Sequence, residues 1–151
     1  MHQGMPFDDL QLYGQAKAHE IQERRNRRKI EDEKASVDRK LKAFWAPTIW
    51  EQTREAIRQR VVAINAALGE SVLQIDAADA GSMTIKIAKV TANLAASYDA
   101  ANGRIVLSLD DHTENYDMDV VRGEVKLKAV GYFSPSQVAK MLVDKAATMV
   151  P

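Results

Sequence analysis

Between Tyr116 and Val130 the chain reads YDMDVVRGEVKLKAV, a stretch that sorts its side chains by face when folded back about Arg122-Gly123. Val120 then falls opposite Val125, Met118 opposite Leu127 and Tyr116 opposite Ala129. On the other face Asp119 meets Lys126 and Asp117 meets Lys128. Strand side chains alternate with a period of two, so a slip of one residue would mix the apolar and charged sets. The register is thus specified locally, with one face for a core and one face of salt-paired charges.

The residues before this hairpin continue the same alternation. From Ser71 the apolar period changes from 3.6 to 2: Leu73, Ile75 and Ala77 alternate with Gln74 and Asp76, and Met83, Ile85 and Ile87 with Thr84 and Lys86. Pairing through a loop at Ala78–Ser82 sets Ile75 opposite Ile85 and Gln74 opposite Lys86. The small-or-apolar face then moves to even numbers, at Ala88, Val90, Ala92, Leu94, Ala96 and Tyr98. A β-bulge near Ala88–Lys89 in one long bent strand accounts for the slip, with a short turn as the alternative. Asn102-Gly103 predicts a two-residue hairpin loop with both residues at positive φ. That loop pairs Tyr98 with Leu107, Ala96 with Leu109, Ala100 with Ile105 and Ser97 with Ser108.

Helices flank the strands. Residues 8–45 read as one long charged helix, started by Asp8 or Asp9 and free of Gly and Pro from Gln15 to Ala46. Pro47 then predicts a kink or restart, with Thr48 and Glu51 spaced as a capping box. The helix that follows ends at Gly69 and carries the stripe Trp50, Ile57, Val61, Ile64 and Leu68. A last helix is announced by Ser134, Pro135 and Gln137 and presents Val138, Met141, Leu142, Ala146 and Met149. The expected fold is α+β. A bent antiparallel sheet of five to six strands, a hairpin meander over residues 71–130, has two amphipathic helices packed on one face and a long charged N-terminal helix before it. The expected division is a helical arm at 1–46 and an α+β domain at 47–151.

Composition limits the chemistry. Lys plus Arg and Asp plus Glu each number 21, so net charge gives no general pull toward nucleic acid or an anionic membrane. Without cysteine there is no disulfide, thiolate nucleophile or Cys-ligated metal. No apolar run approaches the roughly 20 residues that span a bilayer, and MHQGMPFDDL lacks the pattern of a signal peptide. The expectation is a soluble, intracellular, cytoplasmic protein without a membrane partner.

Three constellations invite a chemical reading. Asp110 or Asp111 followed by Glu124-Val125-Lys126 resembles the acidic residue and E-x-K of metal-dependent nucleases, but the hairpin register gives Lys126 the structural partner Asp119. The acidic loop Asp110–Asp119 lacks the spacing and central glycine of a calcium loop. His2, His19 and His112 fall in unrelated elements, and His112 reads as an exposed loop residue. Neither a nucleophile elbow nor a glycine-rich phosphate loop is present, so the expectation is no catalytic residue, no metal and no cofactor.

Function is better sought on the long helix. Ile30, Val37 and Phe44 stand seven apart with Leu41 in the second seam position and Trp45 beside it, a fragment of a heptad pattern. These residues suggest a protein partner or a second copy of the chain. An alternative is a small-molecule cavity between bent sheet and helices, lined by Trp50, Tyr98, Tyr116 and Met118. A third reading places Arg24, Arg25, Arg27, Arg28 and Lys29 on nucleic-acid phosphates. Against it, acidic residues flank the segment and no aromatic interleaves to stack on bases; pairs such as Glu20–Arg24, Glu23–Arg27 and Glu31–Lys34 make a solvated helix the plainer account.

Overall fold

A computed structural model describes residues 5–77 and 79–151, with side chains from residue 9 onward; His2 and Ala78 of the expected loop lie outside. A 64-residue helix, α1 (Met5–Leu68), opens the chain. Seven strands follow: β1 (Leu73–Asp76), β2 (Ser82–Ile87), β3 (Leu94–Asp99), β4 (Arg104–Leu109), β5 (Thr113–Val121), β6 (Glu124–Lys128) and β7 (Tyr132–Phe133). The helix α2 (Pro135–Thr148) closes it. The strands pair in chain order as one open antiparallel meander. The fold is α+β as expected, with one or two more strands because β2 and β3 are separate and β7 adds a short edge. By its contacts the chain divides into Met1–Arg39 and Lys40–Pro151, and α1 contributes to both units.

In the second unit, one buried cluster joins three sources. Ala46, Ile49, Trp50, Ile57 and Val61 come from α1 at spacings of three and four; Val138, Ala139, Leu142, Val143 and Ala146 come from α2. Alternate strand residues supply the rest, among them Met83, Ile85, Leu94, Ala96, Ile105, Leu107, Tyr116, Met118 and Leu127. Leu68 and Met141, expected in the stripes, are exposed instead, one at the helix end and one beside the buried face of α2. Each large apolar side chain removed from water contributes roughly 1.5–3 kcal/mol.

Local chemistry positions the helix ends. Gly69 takes φ +69° and its N–H bonds to Ala66 O at 3.3 Å, while Glu70 N reaches Asn65 O at 3.2 Å. That is a Schellman stop, which needs a residue free to enter the left-handed region. The Asn65 side chain then ties helix to strand. Its Oδ1 accepts from Val72 N at 3.0 Å and Leu73 N at 3.1 Å, and its Nδ2 donates to Leu73 O at 2.8 Å. At α2 the expected capping box forms: Gln137 N donates to Ser134 Oγ at 3.1 Å and Ser134 N to Gln137 Oε1 at 2.8 Å.

Several expectations need correction. Helix α1 begins at Met5, so Asp8 and Asp9 lie within it and not at its cap. It also continues through Pro47, and the box expected of Thr48 and Glu51 does not start a second helix. The Pro47 ring sits on the exposed side, while Ala46, Ile49, Trp50 and Thr53 around it are buried. A proline inside a helix costs about 3 kcal/mol, an amount that burial of Ile49 and Trp50 can offset. Thr53, buried beside the core, donates its hydroxyl back to Ile49 O at 2.8 Å and is satisfied by the helix itself.

Residues 83–99 are two strands joined by a turn, not one bent strand: Lys89 adopts φ +66° and Val90 N bonds to Ile87 O at 3.3 Å. The Asn102-Gly103 loop is longer than expected. Asp99 pairs with Arg104 and Tyr98 with Ile105, so Ala100–Gly103 form a four-residue loop and the register moves by two. Only Gly103 takes positive φ there. The Asp99 carboxylate accepts Asn102 N at 3.2 Å and Asn102 Nδ2 at 2.8 Å, and these bonds hold the wider turn. Moving by two leaves every side chain on its original face, so alternation alone could not exclude it.

The Tyr116–Val130 hairpin keeps its expected register from Val120–Val125 to Asp117–Lys128. Arg122 and Gly123 both take positive φ, as the two-residue turn requires. The expected Tyr116–Ala129 pair is absent because β6 ends at Lys128, where Ala129 N turns onto Gly131 O at 2.9 Å. The charged face is partnered differently. Asp117 pairs with Arg104 of the next strand at 3.0 Å, Asp119 accepts from Tyr132 Oη at 3.4 Å, and Lys128 lies over the Tyr132 ring.

Candidate functional site

Within the first unit, every side chain from residue 9 to residue 35 is exposed. Leu10, Leu12, Tyr13, Ile30 and Val37 are large apolar groups in water, Ile30 at 65% and Val37 at 55% of full exposure. Among the described residues of this unit Lys17 forms an ion pair with Glu20 at 3.3 Å, and the His19 ring lies 3.0 Å from Glu23. The expected pairs Glu20–Arg24, Glu23–Arg27 and Glu31–Lys34 do not form; Glu20 and Glu23 are taken by residues one turn earlier. Arg24, Arg25, Arg27, Arg28 and Lys29 are all exposed, and Arg25, Arg28 and Lys29 share a shallow groove with Asp32 and Glu33. Carboxylates thus sit among the cations that were candidates for phosphate contacts.

In the second unit, Phe44 and Trp45 are exposed and meet edge to face at 5.3 Å, while Leu41 is half-buried. The four residues considered as cavity lining are used otherwise. Trp50 is buried, stacks on Tyr98 at 6.1 Å and donates Nε1–H to Ala80 O at 2.7 Å. Tyr116 and Met118 are buried in the core cluster, with Tyr116 edge-on to Phe133 at 5.4 Å. A different cleft of about 400 Å³ lies between α1, the β6–β7 edge and the start of α2. Ile49, Leu127 and Phe133 give it an apolar floor, and Glu124, Lys126, Tyr132, Ser134 and Gln137 give it polar walls. The E-x-K residues therefore border this cleft.

The Asp110 and Asp111 side chains have other partners: Asp110 accepts from Asn93 N at 3.1 Å, and Asp111 holds His112 at 2.8 Å and Lys145 at 3.6 Å. His112 is more than an isolated loop residue. Its Nδ1 meets Asp111 and its Nε2 meets Glu114 at 3.2 Å, while Glu114 also accepts the Tyr116 hydroxyl. The hydrogen bonds to Asp111 and then Glu114 raise the His112 pKa, and the bond from His112 is the largest cause lowering that of Asp111. Burial, followed by the bond to Glu114, raises the Tyr116 hydroxyl well above its ordinary value. Both ring nitrogens face carboxylates, which only accept, so the arrangement favours the doubly protonated ring. The cluster clamps a loop. Sequence reasoning missed it because Asp111, His112 and Glu114 show no motif, and Lys145 is far away in the chain.

Among the described residues no group of three or more His, Asp or Glu could hold a metal ion, and no helix is long and apolar enough to cross a membrane. Comparison with protein-family models, curated proteins and solved structures finds no match to this chain.

Proposed function

We propose that this protein is a non-catalytic assembly module whose N-terminal helix binds another protein helix, either of a partner or of a second copy. One observation carries the reading: Leu10, Tyr13, Ile30 and Val37 stand exposed along a helix that has few side-chain pairs of its own. Helices in proteins draw most of their stability from packing an apolar face, and among the described residues of its unit this stretch buries none. Phe44 and Trp45, exposed in the second unit, are further candidate contacts, since large aromatics are enriched at interface hot spots. The test is light scattering of the wild type and of Val37→Asp with Leu41→Asp. Association with itself or with a captured partner should weaken at least about tenfold, since each buried aliphatic is worth roughly 1.5–3 kcal/mol. A monomer whose partner contacts all survive the double substitution would sink the reading.

The cleft bordered by Glu124 and Lys126 supports a second reading, a small-molecule site. Its volume of about 400 Å³ falls in the range of ligand pockets, and it combines an apolar floor with convergent polar groups. Thermal shift across a metabolite panel, repeated with Lys126→Ala, tests it; no stabilising compound, or equal stabilisation of the variant, would count against it.

A further inference from the structure

The charges of the N-terminal helix are arranged in blocks. Five cations, Arg24, Arg25, Arg27, Arg28 and Lys29, are followed by three anions, Glu31, Asp32 and Glu33. Spacing would allow Arg27–Glu31, Arg28–Asp32 and Lys29–Glu33 within one helix, yet none of these forms among the described residues. A cation placed N-terminal to its anion is the weaker order for such pairs, because it opposes the helix dipole. Both blocks are exposed and form no ion pair with each other among the described residues, with Ile30 exposed between them.

A second copy laid parallel and in register would set five cations against five. Laid antiparallel, it exchanges the blocks. Their centres are about 8 Å apart along a helix rising 1.5 Å per residue, so helices crossing near Ile30 bring each cationic block beside the other copy's anionic block. Ile30 of one copy then lies near Ile30 of the other. A nucleic acid would use only the cations and would be repelled by Glu31–Glu33. We infer that the occupant of this helix is a second copy of the chain, crossing antiparallel near Ile30 with Arg24–Lys29 of each copy beside Glu31–Glu33 of the other. The inference rests on the interaction reading above and names its partner.

The full chain tests it by sedimentation at low and high salt. A dimer is expected that weakens as salt rises, since screening acts over about 8 Å at physiological ionic strength. Reversing the three cations nearest Ile30, R27E with R28E and K29E, should weaken the dimer about tenfold or more, and so should E31K with D32K and E33K. Mixing the two variants restores complementarity between unlike copies, with no favourable pair created inside either helix, and should recover the wild-type affinity within about threefold. The recovery also shows that the single-block variants had not simply unfolded. Orientation is read by cross-linking, which the absence of native cysteine makes unambiguous. Glu23→Cys in one copy should form a disulfide with Val37→Cys in another. Val37→Cys alone should not, because its two copies would stand about 21 Å apart.

Efficient cross-linking of Val37→Cys with itself, or no recovery when the two single-block variants are mixed, overturns the inference. So does a chain that stays monomeric at every accessible concentration, or a monomer that binds duplex DNA at low salt. If the monomer still loses a different protein partner through Val37→Asp with Leu41→Asp, the self-pairing has failed and the interaction reading stands. If no partner contact responds, both have failed.

Discussion

Along α1, the stretch Leu10–Val37 and the stretch Ala46–Val61 share one backbone geometry and differ in what their apolar residues meet. The second stretch buries Ala46, Ile49, Trp50, Ile57 and Val61, and even hides a threonine whose hydroxyl is satisfied by the helix itself. The first leaves its large apolar residues in water among uncompensated charges. Helix is therefore the same answer to two different questions. In the second unit it is the way to deliver a stripe to a sheet; in the first it is a scaffold that displays residues without packing them.

The contrast breaks or holds most sharply at the core. Trp50→Ala should cost about 3–5 kcal/mol and Ile57→Ala about 2–5, whereas Ile30→Ala should change unfolding of the second unit by no more than about 0.5. Urea denaturation measures all three, and an Ile57→Ala loss below about 1 kcal/mol would show that this face is not the core. Asn65→Ala comes next. It removes three hydrogen bonds and strands the amides of Val72 and Leu73, for an expected loss of about 2–3 kcal/mol. A loss close to zero would mean that water replaces the amide and that the helix-to-strand connection is not held by it.

Pro47→Ala sharpens the comparison from the other side, because burial on both flanks is what keeps the helix running through the ring. The substitution restores a donor and should raise stability by about 1–3 kcal/mol; an unchanged denaturation midpoint would mean that the surrounding core has adapted its shape to proline. The smallest effect concerns pH. His112 binds its proton more tightly in the folded state, so the contribution of its clamp is fully present below the ordinary histidine pKa of about 6.5. It is lost as pH rises through the raised folded value. The ring-proton NMR titration of His112 should have its midpoint above 6.5, and a midpoint at or below that value would mean the clamp does not form. In His112→Gln the corresponding pH dependence of stability should vanish.

Charge patterning was legible only in part. The exposed seam residues Ile30, Val37 and Phe44 and the blocks 24–29 and 31–33 are visible in the chain, but which cations stay unpaired is not. Glu20 and Glu23 could reach backward or forward by one turn, and both reach backward, to Lys17 and His19. The cleft beside Glu124 was legible only through its E-x-K residues, because its walls come from four elements that the fold alone brings together.

What the sequence by itself determined is whatever local parity and backbone stereochemistry can decide. The Val120–Val125 to Asp117–Lys128 pairs follow from alternation anchored at a turn where Arg122 and Gly123 both take positive φ. The Ile75–Ile85 pair, the stop at Gly69 and the start at Ser134 follow from equally local rules. The tertiary structure decided the cases in which local rules are silent or in conflict. A shift of two residues at β3–β4 preserves both faces, so only the Asp99–Asn102 bonds and the neighbouring strands select it. Asp117 has Lys128 opposite on one strand and Arg104 on the other, and it pairs with the arginine while Lys128 lies over the Tyr132 ring. Pro47 forbids a helix by its own chemistry and is overruled by the burial around it, since packing energies summed over several side chains exceed the cost of one missing hydrogen bond.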